Sequence, residues 1–210
     1  MSDLKEGVIV ILSSPSGAGK TTLVKKISSA KNFCISISHT TRKPRKNEIN
    51  GKDYFFVSSK EFKKLIKEGK FLEHANVFNN YYGSSKHTVA NNLKKGNNVI
   101  FDIDWQGTQQ IKYKKLKYKI LSIFILPPSK EELHKRLLKR EINNKKIVHE
   151  RMKQFKKDIL HWTEYDFVVI NDDLKKCYNK IIKFLNYKIK KNLMYYDKKK
   201  IQKHIQNLLN

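Results

Sequence analysis

Ser14-Pro15-Ser16-Gly17-Ala18-Gly19-Lys20-Thr21 matches the phosphate-binding loop G-x-x-x-x-G-K-[ST] at every fixed position but the first, and Thr22 extends it. The chemistry asks for these residue types. Glycines let backbone N–H groups turn inward around a phosphate, and a helix that follows adds its positive end. A lysine at position 20 reaches the β and γ phosphates of a nucleoside triphosphate, and the Thr21 hydroxyl is a magnesium ligand. Ser14 in place of the first glycine leaves the entry to the loop undefined without weakening the nucleotide site. Further along, Phe101-Asp102-Ile103-Asp104 ends an apolar run in acid. Strand ends face the ligand crevice of a doubly wound sheet, so Asp102 is a candidate to hold magnesium, directly or through water. A helix or loop cap is the other reading of such an acid.

The arginines form a second pattern. Only five of the 45 basic residues are arginines: Arg42, Arg45, Arg136, Arg140 and Arg151. They fall in two short regions, whereas lysine is spread along the whole chain. Such confinement points to placement, because the planar fork of arginine suits phosphate oxygens better than a point charge does.

These residues need elements to position them. Val8–Leu12, Val99–Ile103, Ile120–Leu126 and Phe167–Ile170 are short, apolar and rich in β-branched residues. Alternating with helical stretches, they predict a parallel sheet covered on both faces. A helix is expected from Thr22. Tyr54–Val57 predicts another strand, and Ser58 with Glu61 forms a capping box before a helix over Phe62–Glu68. Ser129 and Glu132 form a second box, ahead of a stripe of Leu133, Leu137 and Leu138 that carries Arg136 and Arg140. The polar stretch Asn143–Lys146 leads to a helix with Arg151. From Leu174 to Asn210 a basic helical pattern runs through Tyr178, Ile181, Ile182, Leu185 and Ile189.

Composition bounds the rest. With 210 residues and 39% hydrophobic content, the chain is long enough for one domain with a real core. No apolar run has the length of a membrane span, and Val8–Leu12 is too short for a signal peptide. Cys34 and Cys177 offer neither a disulfide framework nor metal-ligand spacing. A cytoplasmic protein without membrane contact is expected. The net charge of +26 is read as a lysine-rich solvated surface, so nucleic acid is not expected as a partner.

Ser38-His39-Thr40-Thr41-Arg42-Lys43-Pro44-Arg45 is followed by Gly51-Lys52-Asp53-Tyr54-Phe55-Phe56, Phe71-Leu72-Glu73 and Asn80-Tyr81-Tyr82-Gly83-Ser84. Asp102–Gly107, the Arg136–Arg151 segment and Val169-Ile170-Asn171-Asp172-Asp173 complete the series. In this order and spacing it resembles the guanylate kinase family over nearly the whole chain, with the bacterial type suggested by the basic C-terminal segment. The resemblance implies an α/β fold of the P-loop type in a single domain over 1–210. Its core would comprise about 1–37, 97–128 and 160–210, with a GMP-binding region at about 38–96 and a helical lid at about 129–159. It implies magnesium-dependent phosphoryl transfer from ATP to GMP by a monomer or homo-oligomer. Arg42, Arg45, Tyr54 and Tyr82 would hold the GMP phosphate, Ser38, Glu73, Ser84 and Asp104 would surround guanine, and Asn171 would lie near adenine. Lys20, Arg42, Arg136, Arg140 and Arg151 would be catalytic. The rival readings are a non-catalytic binding module of the same family and a kinase for another nucleoside monophosphate.

Three departures from the family pattern stand out. Lys139-Arg140-Glu141 occupies the place of Gly-Arg-Gly, which is expected to stiffen the lid helix by about 1 kcal/mol per lost glycine. Lys145-Lys146 replaces an acidic pair, and His74 stands where tryptophan is frequent.

Overall fold

The computed structural model describes residues 6–29, 33–142, 144–189 and 196–210. Met1–Lys5, Asn143 and the side chain of Ile189 lie outside the described set. The four apolar runs form β1 (Ile9–Ser13), β7 (Asn98–Asp102), β8 (Ile120–Leu126) and β9 (Phe167–Ile170). A short strand that the sequence pattern does not announce, β2 (Phe33–Ile35), joins them in one parallel five-stranded sheet, in the order β2-β7-β1-β8-β9. Such runs are apolar on both sides because helices cover both faces. Val10 and Leu12 pack with Leu23 and Ile27 of α1 (Lys20–Ser28) and with Cys177, Ile181 and Phe184 of α7 (Leu174–Ile189). Ile9, Ile11 and Phe101 point the opposite way. They meet Val89 and Leu93 of α3 (Lys86–Lys94) and Ile111 of α4 (Trp105–Tyr113). Full burial of each such side chain contributes about 1.5–3 kcal/mol, so the central strands are held from both faces. A third apolar cluster joins α5 (Lys130–Arg140), α6 (Lys145–Asp158) and α8 (Lys198–Leu209) through Leu133, Leu137, Val148, Phe155, Ile201 and Ile205.

A second sheet is inserted between β2 and β7. It consists of β3 (Ser38–Thr40), β4 (Phe55–Phe56), β5 (Phe71–Val77) and β6 (Asn80–Ser85), in the order β4-β3-β6-β5. The strand expected over Tyr54–Val57 shrinks to Phe55–Phe56. It is an edge strand with only two rungs on β3, and Tyr54 bridges to Asn50 instead. The β5–β6 hairpin has no Asn-Gly signal in the sequence. Its turn is made by Phe78 and Asn79, both at positive φ (49° and 60°), the pairing a tight hairpin turn demands.

Caps set the helix boundaries. The Ser58 hydroxyl accepts from the Glu61 N–H at 3.1 Å, so α2 spans Ser59–Lys67 rather than Phe62–Glu68. Ser129 does the same for Glu132 at the start of α5. The basic pattern over Leu174–Asn210 is two helices, α7 and α8. Asp197 caps the second by accepting from Lys200 N–H at 2.9 Å. Of the two sites expected to stiffen the lid by losing glycine, only one is a helical position. Lys139 lies inside α5, but Glu141 is its C-cap and Ile142 beyond it has φ 51°.

Candidate active site

β1 and β7 end side by side, and the loop after β1 turns into α1. Gly17 and Gly19 take φ of 88° and 98°, conformations that favour glycine. Ser14 is not among the positive-φ residues, so glycine is not required there; its hydroxyl donates to the Pro15 carbonyl at 2.9 Å. Gly19 is the N-cap of α1 and supplies no side-chain cap, which leaves the helix's first N–H groups available to an anion. A Cβ on Gly19 would come within 2.3 Å of Asn171 Nδ2. Lys20 Nζ donates to the Ile103 carbonyl at 2.7 Å and pairs with Asp102 Oδ1 at 2.9 Å. Thr21 Oγ1 donates to Asp102 Oδ2 at 2.8 Å. Asp102 is thus tied to both functional residues of the loop.

Across the crevice, one row of the inserted sheet joins Ser38, Ser84 and Glu73, registered strand to strand through β3, β6 and β5. Ser84 Oγ donates to Glu73 Oε1 at 2.5 Å, and Ser38 Oγ lies 3.4 Å from Ser84 Oγ. The Glu73 residue is only 2% exposed. Burial pushes its carboxyl up to about 7; the Ser84 hydrogen bond opposes this and the nearby Asp104 charge adds to it. The N-terminus of α4 comes so close that a Cβ on Gly107 would lie 2.4 Å from Glu73 Oε2. Gly107→Ala is therefore expected to displace that carboxylate. It should raise the Michaelis constant of the ligand it binds about tenfold, with the melting temperature changed far less, as steady-state kinetics and a thermal melt will check.

The neighbouring arginines are organised by a residue that spacing did not single out. Glu48 accepts from Arg42 Nη2 at 2.8 and 2.9 Å, from the Arg45 N–H at 2.8 Å and from Arg45 Nη1 at 3.3 Å. Burial pulls the Arg42 pKa down, but Glu48 outweighs it and the net direction is up. The Arg42 guanidinium also lies over the Tyr54 ring, 5.4 Å from its centroid, and Tyr54 meets Tyr82 edge-on at 6.0 Å. On the helical side, Arg136 Nε donates to Glu132 at 2.9 Å. Arg151 Nη1 donates to Ser16 Oγ of the loop at 2.7 Å, and its guanidinium lies 4.6 Å from the Phe78 ring centroid.

The loop, the inserted sheet and the helical side meet around one cavity of about 530 Å³. Of the residues singled out from sequence, Ser14, Pro15, Ser16, Gly17, Gly19, Lys20, Thr21 and Thr22 are on its wall. So are Ser38, Arg42, Arg45, Tyr54, Glu73, Tyr82, Asp102, Asp104, Arg136, Arg140 and Arg151. Three stand behind the wall. Ala18 and Ser84 are fully buried, and the buried Asn171 donates from Nδ2 to the Ala18 carbonyl at 2.8 Å, bracing the loop. Asp104 is on the wall, yet its oxygens accept from Gly107 N and Gln106 Nε2, both at 3.0 Å, so it is the N-cap of α4. His74 is off the cavity, its side chain exposed and its backbone strapped to Gln110. Phe78, Gln154 and Asp158 also line the cavity without any motif that announces them.

The family model described as guanylate kinase matches residues 6–188. The chain belongs to the guanylate kinase family. Among relatives, the guanylate kinase of Rickettsia prowazekii (strain Madrid E) is 46% identical over 193 residues, 91% of this chain and 97% of that one. The guanylate kinase of Buchnera aphidicola subsp. Schizaphis graminum is 46% identical over 179 residues, 84% of this chain and 86% of that one. The crystal structure of guanylate kinase from Anaplasma phagocytophilum superposes with a TM-score of 0.72 at 36% identity, covering 88% of this chain and 87% of that one. The parallel core flanked by helices is thus the guanylate kinase fold. Among the described residues, no helix is long and apolar enough to cross a membrane.

Proposed function

We propose that this chain reversibly transfers the γ-phosphoryl group of ATP to GMP, giving ADP and GDP. One observation carries the reading: a phosphate loop and the Glu73 and Ser38 ends of a buried row, braced by Ser84 behind them, line the same cavity. The loop Ser14–Gly19 and Lys20 hold the donor's phosphates. Glu73 accepts from guanine N1–H and N2–H₂, Ser38 donates to O6, and Ser84 orients Glu73 from behind. Arg42 and Arg45, with the hydroxyls of Tyr54 and Tyr82, hold the acceptor phosphate. Glu48, already on both forks, fixes their direction.

Transfer breaks the bond from the γ-phosphorus to the bridging oxygen, which leaves with ADP, and forms one to a GMP phosphate oxygen. The acceptor is already ionised, so no proton has to be removed and no covalent intermediate is required. The transition state is loose and negative, and catalysis is mostly positioning and charge stabilisation. Arg136, Arg140 and Arg151 on α5 and α6 supply positive charge from a lid, and lid closure keeps water from the donor.

Magnesium belongs to the same proposal. Thr21 and Asp102 fit it: both offer hard oxygen donors, and the Thr21 hydroxyl, donating to Asp102, keeps its lone pairs free. Bound with ATP, the ion neutralises phosphate charge. The same reading puts the chain in the cytoplasm with its two nucleotides.

A coupled assay of ADP production across GMP, dGMP, AMP, IMP and UMP tests the assignment. Turnover with GMP and at most trace turnover with AMP and UMP is expected. Binding of GMP with no turnover identifies a non-catalytic module; a preference for AMP or UMP identifies a different kinase. Within the same assay, Arg45→Ala should lower kcat/KM for GMP by about 10–50-fold while leaving KM for ATP within about twofold. A half-exposed charged contact to phosphate has about that value. Equal losses for both nucleotides would point to a structural role instead.

A further inference from the structure

Glu141 follows the last residue of α5 and sits between two guanidinium groups. Its Oε1 is 3.2 Å from Arg151 Nη2 and 3.5 Å from Arg140 Nε, and its side chain is only 12% exposed. Neither contact has hydrogen-bond geometry. Glu141 Oε1 and Arg151 Nε are both buried without a hydrogen-bond partner among the described residues. The carboxylate therefore compensates charge without consuming the donors of the forks. The need for compensation is plain. Burial lowers the Arg140 pKa, and the like charges of Arg45 and Arg151 lower it further. Burial also lowers that of Arg151, with Glu141 acting in the opposite direction.

The same helical pair is drawn down onto both sides of the cavity. Arg151 reaches Ser16 of the phosphate loop and stacks over Phe78 of the inserted sheet. Bringing these guanidinium groups so close together is unfavourable unless an anion lies between them. Phosphoryl oxygens are one such anion, and Glu141 is another.

We propose that Glu141 is an internal counter-anion. It holds Arg140 and Arg151 together and the lid closed while no nucleotide is bound, and the phosphates of ATP must displace it. The inference rests on the lid reading above, and it makes Glu141 a positioning residue that acts through the two arginines. Competition follows from this arrangement: the carboxylate that steadies the empty lid also opposes the incoming donor.

Two measurements test it. Spin labels at exposed Lys145→Cys and Asn47→Cys, in a Cys34→Ser background, report the distance between the lid and the inserted sheet by pulsed electron resonance. Without nucleotide, the chain with Glu141 intact should populate the short distance. Glu141→Gln should lose that population and regain it on addition of magnesium and a non-hydrolysable ATP analogue. In kinetics at low ionic strength, Glu141→Gln should lower KM for ATP about 3–10-fold with kcat within about twofold, because a partly buried competing charge is gone. Glu141→Asp should return KM toward the unsubstituted value.

An unchanged distance distribution in Glu141→Gln overturns the proposal, and so does a raised KM for ATP. If Glu141→Gln fails to fold, the chain with Glu141 intact still decides: a lid found only at the long distance without nucleotide sinks the idea. The distance measurement needs no turnover, so the latch and the GMP assignment fail separately.

Discussion

Lys20→Ala is expected to lower kcat for phosphoryl transfer by at least 10²–10³-fold while the chain stays folded. Lys20 Nζ is positioned before any nucleotide arrives, donating to the Ile103 carbonyl and paired with Asp102 Oδ1 at the head of the crevice. Its charge is therefore fixed where negative charge grows on the donor phosphates, and losing one preorganised group of this kind typically costs two to three orders of magnitude. The fold should tolerate the change. Lys20 is the first residue of α1, alanine is a good helix former, and the packing residues of that helix are Leu23, Val24 and Ile27. Asp102 loses its cation but keeps the hydroxyl of Thr21. A coupled assay beside a circular-dichroism melt separates the two effects. Retention of more than about a tenth of kcat would mean that Lys20 does not face the donor.

The elements carrying this chemistry differ in how plainly the sequence announced them. The central strands are almost wholly apolar, with Ser122 the one polar residue inside β8, a pattern that a sheet buried on both faces forces on its sequence. Capping boxes at Ser58 and Ser129 were equally legible, because a side-chain cap is a local interaction between residues three apart. The strand is shorter than the Tyr54–Val57 pattern predicts, since an edge strand's length depends on its neighbour and β3 supplies only two rungs. The β5–β6 hairpin escaped because Phe78 and Asn79 adopt positive φ without glycine, held by strands whose pairing is not local.

The site shows the same division. The phosphate loop is contiguous and its residues are named by spacing alone. Glu48 and Glu141 matter because the folded backbone turns Arg42 and Arg45 onto the first and Arg140 and Arg151 onto the second, and no motif spacing signals those pairings. Asn171 is legible as part of a motif, but its bracing of the phosphate loop is not. Only the fold shows its amide turned onto the Ala18 carbonyl.

The buried carboxylate that reads the base yields the last prediction, and its sign depends on pH. Glu73→Gln should reduce kcat/KM for GMP by roughly 10²–10³-fold. The amide retains one acceptor oxygen for Ser84 or guanine but sets an NH₂ against a second guanine donor. A hydrogen bond to a charged group is worth about 1.5–3 kcal/mol, and an unpaired donor adds to the loss. IMP, which lacks the N2 amino group, should be a poor substrate already and lose less. In the unsubstituted chain the carboxyl is held up to about 7, so below that pH it is protonated and offers guanine one acceptor fewer. Accordingly kcat/KM for GMP should rise as pH passes upward through about 7, and that inflection should vanish in Glu73→Gln. Stability should move the other way. A carboxyl raised from 4.5 to about 7 stabilises the fold fully below pH 4.5 and loses that contribution as pH climbs through 7, about 3 kcal/mol in all. At pH 8 the empty Gln variant, which cannot ionise, should therefore melt above the unsubstituted chain even as it fails with GMP. A variant that melts lower at pH 8 and keeps its GMP turnover would show that the burial of Glu73 serves the fold and not the base.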